Sequence, residues 1–513
     1  MIPLALSSIA ALIHLATAWR YGYFRDELYF IASSKHLAWG YVDQPPMVAV
    51  AAWLAAPTGY CLIALRALPI LASALTVFLA ARLARELGGG RFAQLLAGAA
   101  TLLTPAYLLL GNTLTTTSLE PFFWTLAVYC CIRIVRAPDS CPTAWWFALG
   151  LAAIFGMYSK YSMLLPIAGL LAGLLATPQR RILRTPYALY AFGAAAVLLA
   201  PNIVWQASHD WPIVEVLHGD VAHRHAFANG FALESLNLAS NALYFVFEQL
   251  LYTNPLAAPI WIAGLIAPYR LVSLRDLRFV TIAYVVILLT AVALSAKGYY
   301  IVGIYASLFA IGAVAIERAV VGVRVTIFAL LATVGLLALP LSLPVLPVDG
   351  LIAYSKLLGL TGRDGRPPHL IQPVFAEEFG WRRLARDVAR VYFSLPPDVR
   401  KRTAVYADTY GDAGGLDFFG PVYGLPPVIS SQNNYYLWGT RGYDGSTLIA
   451  IGATRIDLLR HFFRSVELVR ASAEPYKWVV EGPAPIYILR DPRAASGYMA
   501  AATLVWGVDP RSV

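Results

Sequence analysis

"YFRDELYFIASSKHLAWGYVDQPP", residues 23–46, sets an arginine and two adjacent acids, Asp26 and Glu27, just beyond an apolar run that begins at Ile2. An acidic pair at a helix start is ordinarily a solvated cap, because negative side chains suit the positive end of the helix dipole. Whether this pair does more depends on its surroundings. Apolar runs recur at about 2–19, 62–81, 93–110, 121–135, 145–158, 162–177, 187–205, 255–269, 279–296, 298–316 and 325–343. Each is long enough, or nearly so, to cross a hydrocarbon core of ~30 Å. About 11 transmembrane helices are therefore expected.

Of 513 residues, 59% are hydrophobic and only 13% charged, with a mean hydropathy of +0.62. Soluble domains are about 25% charged, so the composition specifies a polytopic α-helical membrane protein. The net charge of +10 is not a nucleic-acid footprint, since most basic residues are arginines in short gaps between apolar runs. Cys61, Cys130, Cys131 and Cys141 lack metal-ligand spacing and read as small packing residues. The N-terminus has neither a basic leader nor a good cleavage site, and reads as a retained first span.

Charge bias orients the spans. With the N-terminus cytoplasmic, five short inner loops hold thirteen arginines, while the longer outer loops hold only Arg20, Arg25, Lys35, Lys160, Arg224 and Lys297. Two outer segments are long, about 20–61 and 206–254. The first has helical apolar spacing at Leu28, Ile31, Ala32 and Leu37, which predicts an interfacial helix. The helical domain, 1–343, thus carries outer loops 20–61 and 206–254, and 344–513 forms a second domain. In that tail, "FAEEFGWRRLARDVARVYFSLP" reads as an amphipathic helix, while "TAVYAD", "TLIAIGA" and "PIYILR" read as strands separated by helical or turn segments such as "RIDLLRHFFRSV". The alternation predicts a small α/β domain outside the membrane.

This topology gathers scattered charges on one face. Asp26, Glu27 and Asp43 lie in the first outer loop, Glu120 in the next, and Lys160 and Lys297 in tight turns between spans. Lysine occurs six times in the chain, and two of the six sit where the positive-inside bias disfavours them. Snorkelling would account for each alone. An ammonium at the interface also suits a lipid phosphate. A carboxylate beside it can take a proton from a hydroxyl or hold a divalent cation. Acids and lysines on one face fit a transfer reaction in which a lipid phosphate leaves.

The residues also resemble a known group. "YFRDELYFIASSKHLAWGYVDQPP", "LTTTSLEP", "YSKYSMLLP", "APNIVWQASHDWP", "AKGYYIVGIYASLFAIGA", "ADTYGDAGGLDFFG" and "GLPPVISSQNNYYLWG" follow, in order over most of the chain, the pattern of GT-C membrane glycosyltransferases. The likeness is to the bacterial branch related to protein O-mannosyltransferases and the lipid A aminoarabinose transferase. It implies a GT-C helical domain, a periplasmic α/β domain, a bacterial inner-membrane location and a polyprenyl-phosphate sugar donor. It makes Asp26 the catalytic base, with Glu27 as its orienting or structural neighbour. Lys160 and Lys297 match lysines near the donor phosphate, and Asp43 and Glu120 match acceptor-site or metal-site acids, with a divalent metal as an option. Two positions depart from the pattern: Gln44 stands where the aminoarabinose branch has a lysine, and Glu120 where relatives often have Asp.

The implied reaction inverts the sugar: an acceptor hydroxyl loses its proton to Asp26, attacks the anomeric carbon and displaces prenyl phosphate, whose growing charge the lysines stabilise. Tyr158, Tyr161, Tyr299 and Tyr300 flank the lysines, as sugar contacts or as an interfacial belt. Arg66 serves the phosphate or packing. In the tail, Asn433, Asn434 and Trp438 suit a lid or acceptor contact, or ordinary turns. His14 reads as a bonded core residue; His36, His209, His218, His223 and His225 read as solvated, although the last two with Asp220 could bind metal. A secondary transporter would instead place polar groups near midplane, and a polysaccharide polymerase or ligase would take a prenyl-linked glycan rather than a monosaccharide. The residues leave the sugar and the acceptor open.

Overall fold

A computed structural model of the chain describes residues 1–136, 142–217, 238–360, 373–443, 445–452, 456–477 and 483–493. Contacts divide it into two compact units, one of 1–19, 44–48 and 63–345, the other of 20–43, 49–62 and 346–513. The second unit thus takes in most of segment 20–61 together with the tail, whereas the sequence division at 343/344 placed that segment with the helical part.

The first unit is helical. Five helices are long and apolar enough to cross a membrane among the described residues: Ala67–Glu86, Pro186–Ser208, Val272–Ala293, Gly298–Ile316 and Val321–Ser342. Three bent pairs raise this to eight if each is one span: Arg91–Leu102 with Pro105–Asn112, Tyr161–Leu175 with Pro178–Arg184, and Ala242–Tyr252 with Pro255–Arg270. Every bend falls at a proline. Thr104, Thr177 and Asn254 precede those prolines in non-helical conformations, as the proline ring's clash with the preceding residue demands. The shorter apolar helix Ile2–Thr17 and the helices Glu120–Arg136 and Pro142–Ser159 complete the set. All eleven apolar runs therefore lie on helices, while fewer satisfy the length criterion for a straight span.

Between helices within a membrane, association rests on close packing rather than on expulsion of water, and small residues permit it. A Cβ on Gly312 would lie 1.8 Å from the Ile260 carbonyl oxygen, and one on Gly264 would lie 2.2 Å from that of Leu308. These two glycines let Ala258–Arg270 and Tyr305–Ile316 touch backbone to backbone.

The second unit contains a five-stranded sheet in the order β2-β1-β3-β5-β4, with β1 Thr403–Ala407, β2 Val428–Ile429, β3 Thr447–Ile451, β4 Phe463–Ser472 and β5 Ala484–Pro492. β2, β1 and β3 run parallel, and β5 and β4 add antiparallel. β1 and β3 are buried throughout, which is why both read as unbroken apolar runs. β4 is a largely exposed edge carrying Arg464, Glu467 and Arg470. Its charges hid it from a strand reading, and only Ile456–Phe462 of "RIDLLRHFFRSV" is helical. The amphipathic helix appears as Trp381–Ser394, and the helix expected in segment 20–61 as Arg25–Ser34, which ends before Leu37 and buries Leu28, Ile31 and Ala32 within the protein.

The glycine contacts give two substitutions of opposite sign. Gly312→Ala should lower thermal stability in detergent by an amount equivalent to about 1–3 kcal/mol or more, because backbone must move. Gly193→Ala meets nothing within 4 Å and should be neutral or stabilising by up to about 1 kcal/mol, since alanine is the better helix former. Melting curves of the two variants beside wild type check this.

Candidate functional site

The adjacent acids of the opening stretch serve different ends. Glu27 is the third residue of helix Arg25–Ser34, fully buried, and its Oε2 accepts the Phe24 backbone N–H at 2.9 Å. That is the position of a capping carboxylate, which satisfies a donor the helix leaves open. Asp26, one residue earlier, keeps 27% of its side chain exposed. Its Oδ1 accepts the Tyr410 hydroxyl at 2.8 Å, and Arg25 Nε stands 3.7 Å away. Arg25 also pairs with Glu377 at 3.0 Å and lies 5.2 Å over the Tyr410 ring.

Tyr410 opens the helix Tyr410–Phe419, whose glycines allow it to lie on Arg25–Ser34. A Cβ on Gly411 would come within 2.3 Å of the Arg25 side chain, and one on Gly414 within 2.8 Å of the Leu28 and Tyr29 backbone. Tyr410 is a residue that sequence reasoning missed. The available signal was the spacing of glycines in "YGDAGG", three apart on one helix face.

Asp43 belongs to the same unit. Its Oδ1 accepts the Tyr29 hydroxyl at 2.8 Å and its Oδ2 the Asn433 amide at 3.0 Å. Desolvation pushes its pKa up to about 7, the Asp26 charge adds to this, and the Tyr29 hydrogen bond opposes it. Asn433 adopts φ +52°, a strained left-handed conformation for a non-glycine residue. Asn434 is buried; its Oδ1 accepts the Val42 N–H at 2.7 Å and its own N–H donates to the Tyr29 hydroxyl. Both asparagines thus hold segment 42–43. Trp438 stacks on His36 with ring centres 4.5 Å apart.

In the helical unit a second polar cluster forms around Lys160. Its Nζ donates to Thr117 Oγ1 at 2.7 Å, stands 3.7 Å from Glu120 Oε2, and lies 3.9 Å and 5.2 Å from the ring centres of Tyr300 and Tyr299. Ser162 donates to the other Glu120 oxygen. Glu120 is buried at the start of helix Glu120–Arg136. Thr117 is held near it by the turn in which Ser118 Oγ donates to the Thr113 carbonyl and accepts the Thr115 N–H. Lys297 heads the 3-10 turn Gly298–Ile304, so the turn that starts at one lysine carries the two rings facing the other. Tyr161 donates to Asn202 at 3.1 Å and accepts from Gln206, and Tyr158 donates to the Leu198 carbonyl.

The remaining candidates occupy plainer positions. Arg66 is fully buried and donates to the Ala18 carbonyl at 2.7 Å. His14 bonds to Ser73 Oγ, and His209 stacks on Trp205. His218, His223, His225, Asp220 and Cys141 lie outside the described residues. Gln44 is buried, and neither its amide oxygen nor its nitrogen has a hydrogen-bond partner among the described residues. A polar group so placed costs free energy until water or a ligand meets it.

The optional metal does not fit these acids. Both Asp43 oxygens accept protein donors, and an ammonium stands beside the Glu120 oxygen that a cation would need. Among the described residues no three His, Cys, Asp or Glu side chains converge as a metal site requires.

Residues 43–205 match the family described as dolichyl-phosphate-mannose-protein mannosyltransferase. No curated protein matches the sequence. The solved structure of ArnT from Cupriavidus metallidurans in the apo state is similar, with a TM-score of 0.62 and 15% identity over 98% of each chain. The same protein bound to undecaprenyl phosphate has a TM-score of 0.59 and 16% identity, over 94% of this chain and 97% of that one. The chain has the fold of these structures, the GT-C fold that its ordered motifs led one to expect.

Proposed function

We propose that the protein is an inverting glycosyltransferase that moves a monosaccharide from a polyprenyl phosphate to an acceptor hydroxyl on the periplasmic face of a bacterial inner membrane. The observation that carries this is Asp26: a partly exposed carboxylate at a helix start, with one oxygen held by Tyr410 and the other able to receive a proton. The ArnT structure with undecaprenyl phosphate supports the donor class, and the mannosyltransferase match supports the sugar chemistry.

In the proposed reaction the acceptor O–H gives its proton to Asp26 Oδ2. The oxygen then bonds to the anomeric carbon as the bond from that carbon to the phosphate oxygen breaks. Polyprenyl phosphate departs with the electron pair from the opposite face, and the anomeric centre inverts. The leaving group is already an anion, so a strong acid is unnecessary, and the need is for positive charge near it. Lys160 and Lys297 are assigned that role. Two rings and a hydroxyl keep the Lys160 ammonium in place before the charge develops, which is what preorganisation means. Glu27 acts only through the helix cap. Asp43 and Asn433 hold one another rather than a cation.

Purified protein given a panel of polyprenyl-phosphate monosaccharides with acceptor extracts should release the sugar, followed by mass spectrometry. Asp26→Asn should cut turnover by about 10²–10⁴-fold; equal turnover in a folded variant would show that Asp26 is only part of a cap. For Lys160 the structural and chemical roles can be separated. Lys160→Met alone should lose about 3–5 kcal/mol, as removing one member of a buried ion pair does. Lys160→Met with Glu120→Gln should recover much of the stability but keep a donor KM raised about tenfold. Restored KM in the double variant would remove the phosphate role.

Asp43 gives a pH test. Its folded pKa of about 7 exceeds the ordinary carboxyl value near 4, so the folded state binds the proton more tightly. Its contribution to stability is present in acid and is lost as pH rises from about 4 to 7. Asp43→Asn should flatten that slope, read as the melting temperature at pH 5 minus that at pH 8; an unchanged difference would contradict the assignment.

A further inference from the structure

We propose that Tyr410 is the positioning residue of the transfer reaction, dictating which oxygen of Asp26 receives the proton. The inference rests on the reading of Asp26 as base. It goes beyond that reading by placing part of the machinery in the C-terminal segment, on the helix Tyr410–Phe419.

Both groups that approach the Asp26 carboxylate come to the same atom. The Tyr410 hydroxyl donates to Oδ1 at 2.8 Å, and Arg25 Nε stands 3.7 Å from it. Among the described residues Oδ2 accepts no hydrogen bond. A carboxylate held at one oxygen presents the other in a set direction, and base catalysis is sensitive to such placement. Tyr410 is itself held. Its N–H donates to Gln432 Oε1 at 2.7 Å, its ring centre is 5.1 Å from that of Tyr29, and Thr409 caps its helix through the Asp412 N–H. Gly411 and Gly414 bring this helix against Arg25–Ser34 so closely that the hydroxyl has little freedom to withdraw. Burial and the Asp26 charge push the phenol well above its ordinary pKa, so the hydroxyl remains a donor throughout the working pH range. The other charges near the pair are Arg25, Glu377 and Asp43.

Tyr410→Phe keeps the ring and removes one hydrogen bond. In the full-length protein with a polyprenyl-phosphate sugar, kcat should fall about 10–100-fold with donor KM unchanged. The acid limb of the pH–rate profile should move upward, because a donor to the ionised form favours that form. Tyr406→Phe, which removes a hydroxyl bonded to Ser431, should leave both readings as in wild type. If Tyr410→Phe folds poorly, 3,5-difluorotyrosine at 410 takes its place, and the acid limb should then shift with the acidity of the phenol. Wild-type kcat and pH limb in the Tyr410 variants, with Asp26→Asn inactive, would overturn this inference alone. A loss of kcat matched by lost stability, with the limb unmoved, would reduce Tyr410 to a packing role. A fully active Asp26→Asn would overturn the base and, with it, the positioning.

Discussion

The carboxylate of Glu27 closes the first turn of helix Arg25–Ser34 by accepting the Phe24 N–H, and the direction of Asp26 depends on that closure. Successive residues on an α-helix point about 100° apart. When Glu27 turns back to cap the helix and is buried, Asp26 must face elsewhere, and it remains partly exposed. The glycines of "YGDAGG" then let a second helix approach from that side and bring a phenol to the carboxylate. One cap and one close helix contact therefore give the two acids different surroundings, a buried capping carboxylate and a partly exposed one held by a phenol, although they are neighbours in sequence.

The polar clusters of the two units share a physical style. Each surrounds its charged groups with hydroxyls and rings. Lys160 has Thr117, Glu120, Tyr299 and Tyr300; Asp26 and Asp43 have Tyr410, Tyr29 and Asn433. Tyrosine suits this work because it offers an apolar body and one hydrogen-bonding hydroxyl, so it can position a charge without adding another. Asp43 accepts a hydrogen bond at each oxygen and Glu120 faces an ammonium, so neither is set out as a metal ligand.

Much of the fold could be read from residue order. Apolar runs marked the helices, and β1, β3 and β5 appeared as β-type segments. The bends at Pro105, Pro178 and Pro255 were not anticipated, because periodicity shows what is apolar but not where a helix changes direction. β4 escaped notice because an exposed edge strand needs no apolar alternation, and β2 is two residues long. In the site, Asp26, Asp43, Glu120 and the lysines drew attention by their charge. Tyr410, Ser162 and Thr117 did not, since a tyrosine, serine or threonine has no significance until its hydroxyl meets a partner.

Composition and order alone determined that this is a helical membrane protein with an α/β tail, because hydrophobicity and periodicity are summed over many residues and survive local error. Tertiary structure decided which partners the charged residues keep. Asp26 and Tyr410 are separated by most of the chain, as are Asp43 and Asn433, and their pairing arises from a helix packed through glycines and a loop held in a strained turn. Contacts of that kind depend on ångström distances between distant segments, and no local pattern encodes them.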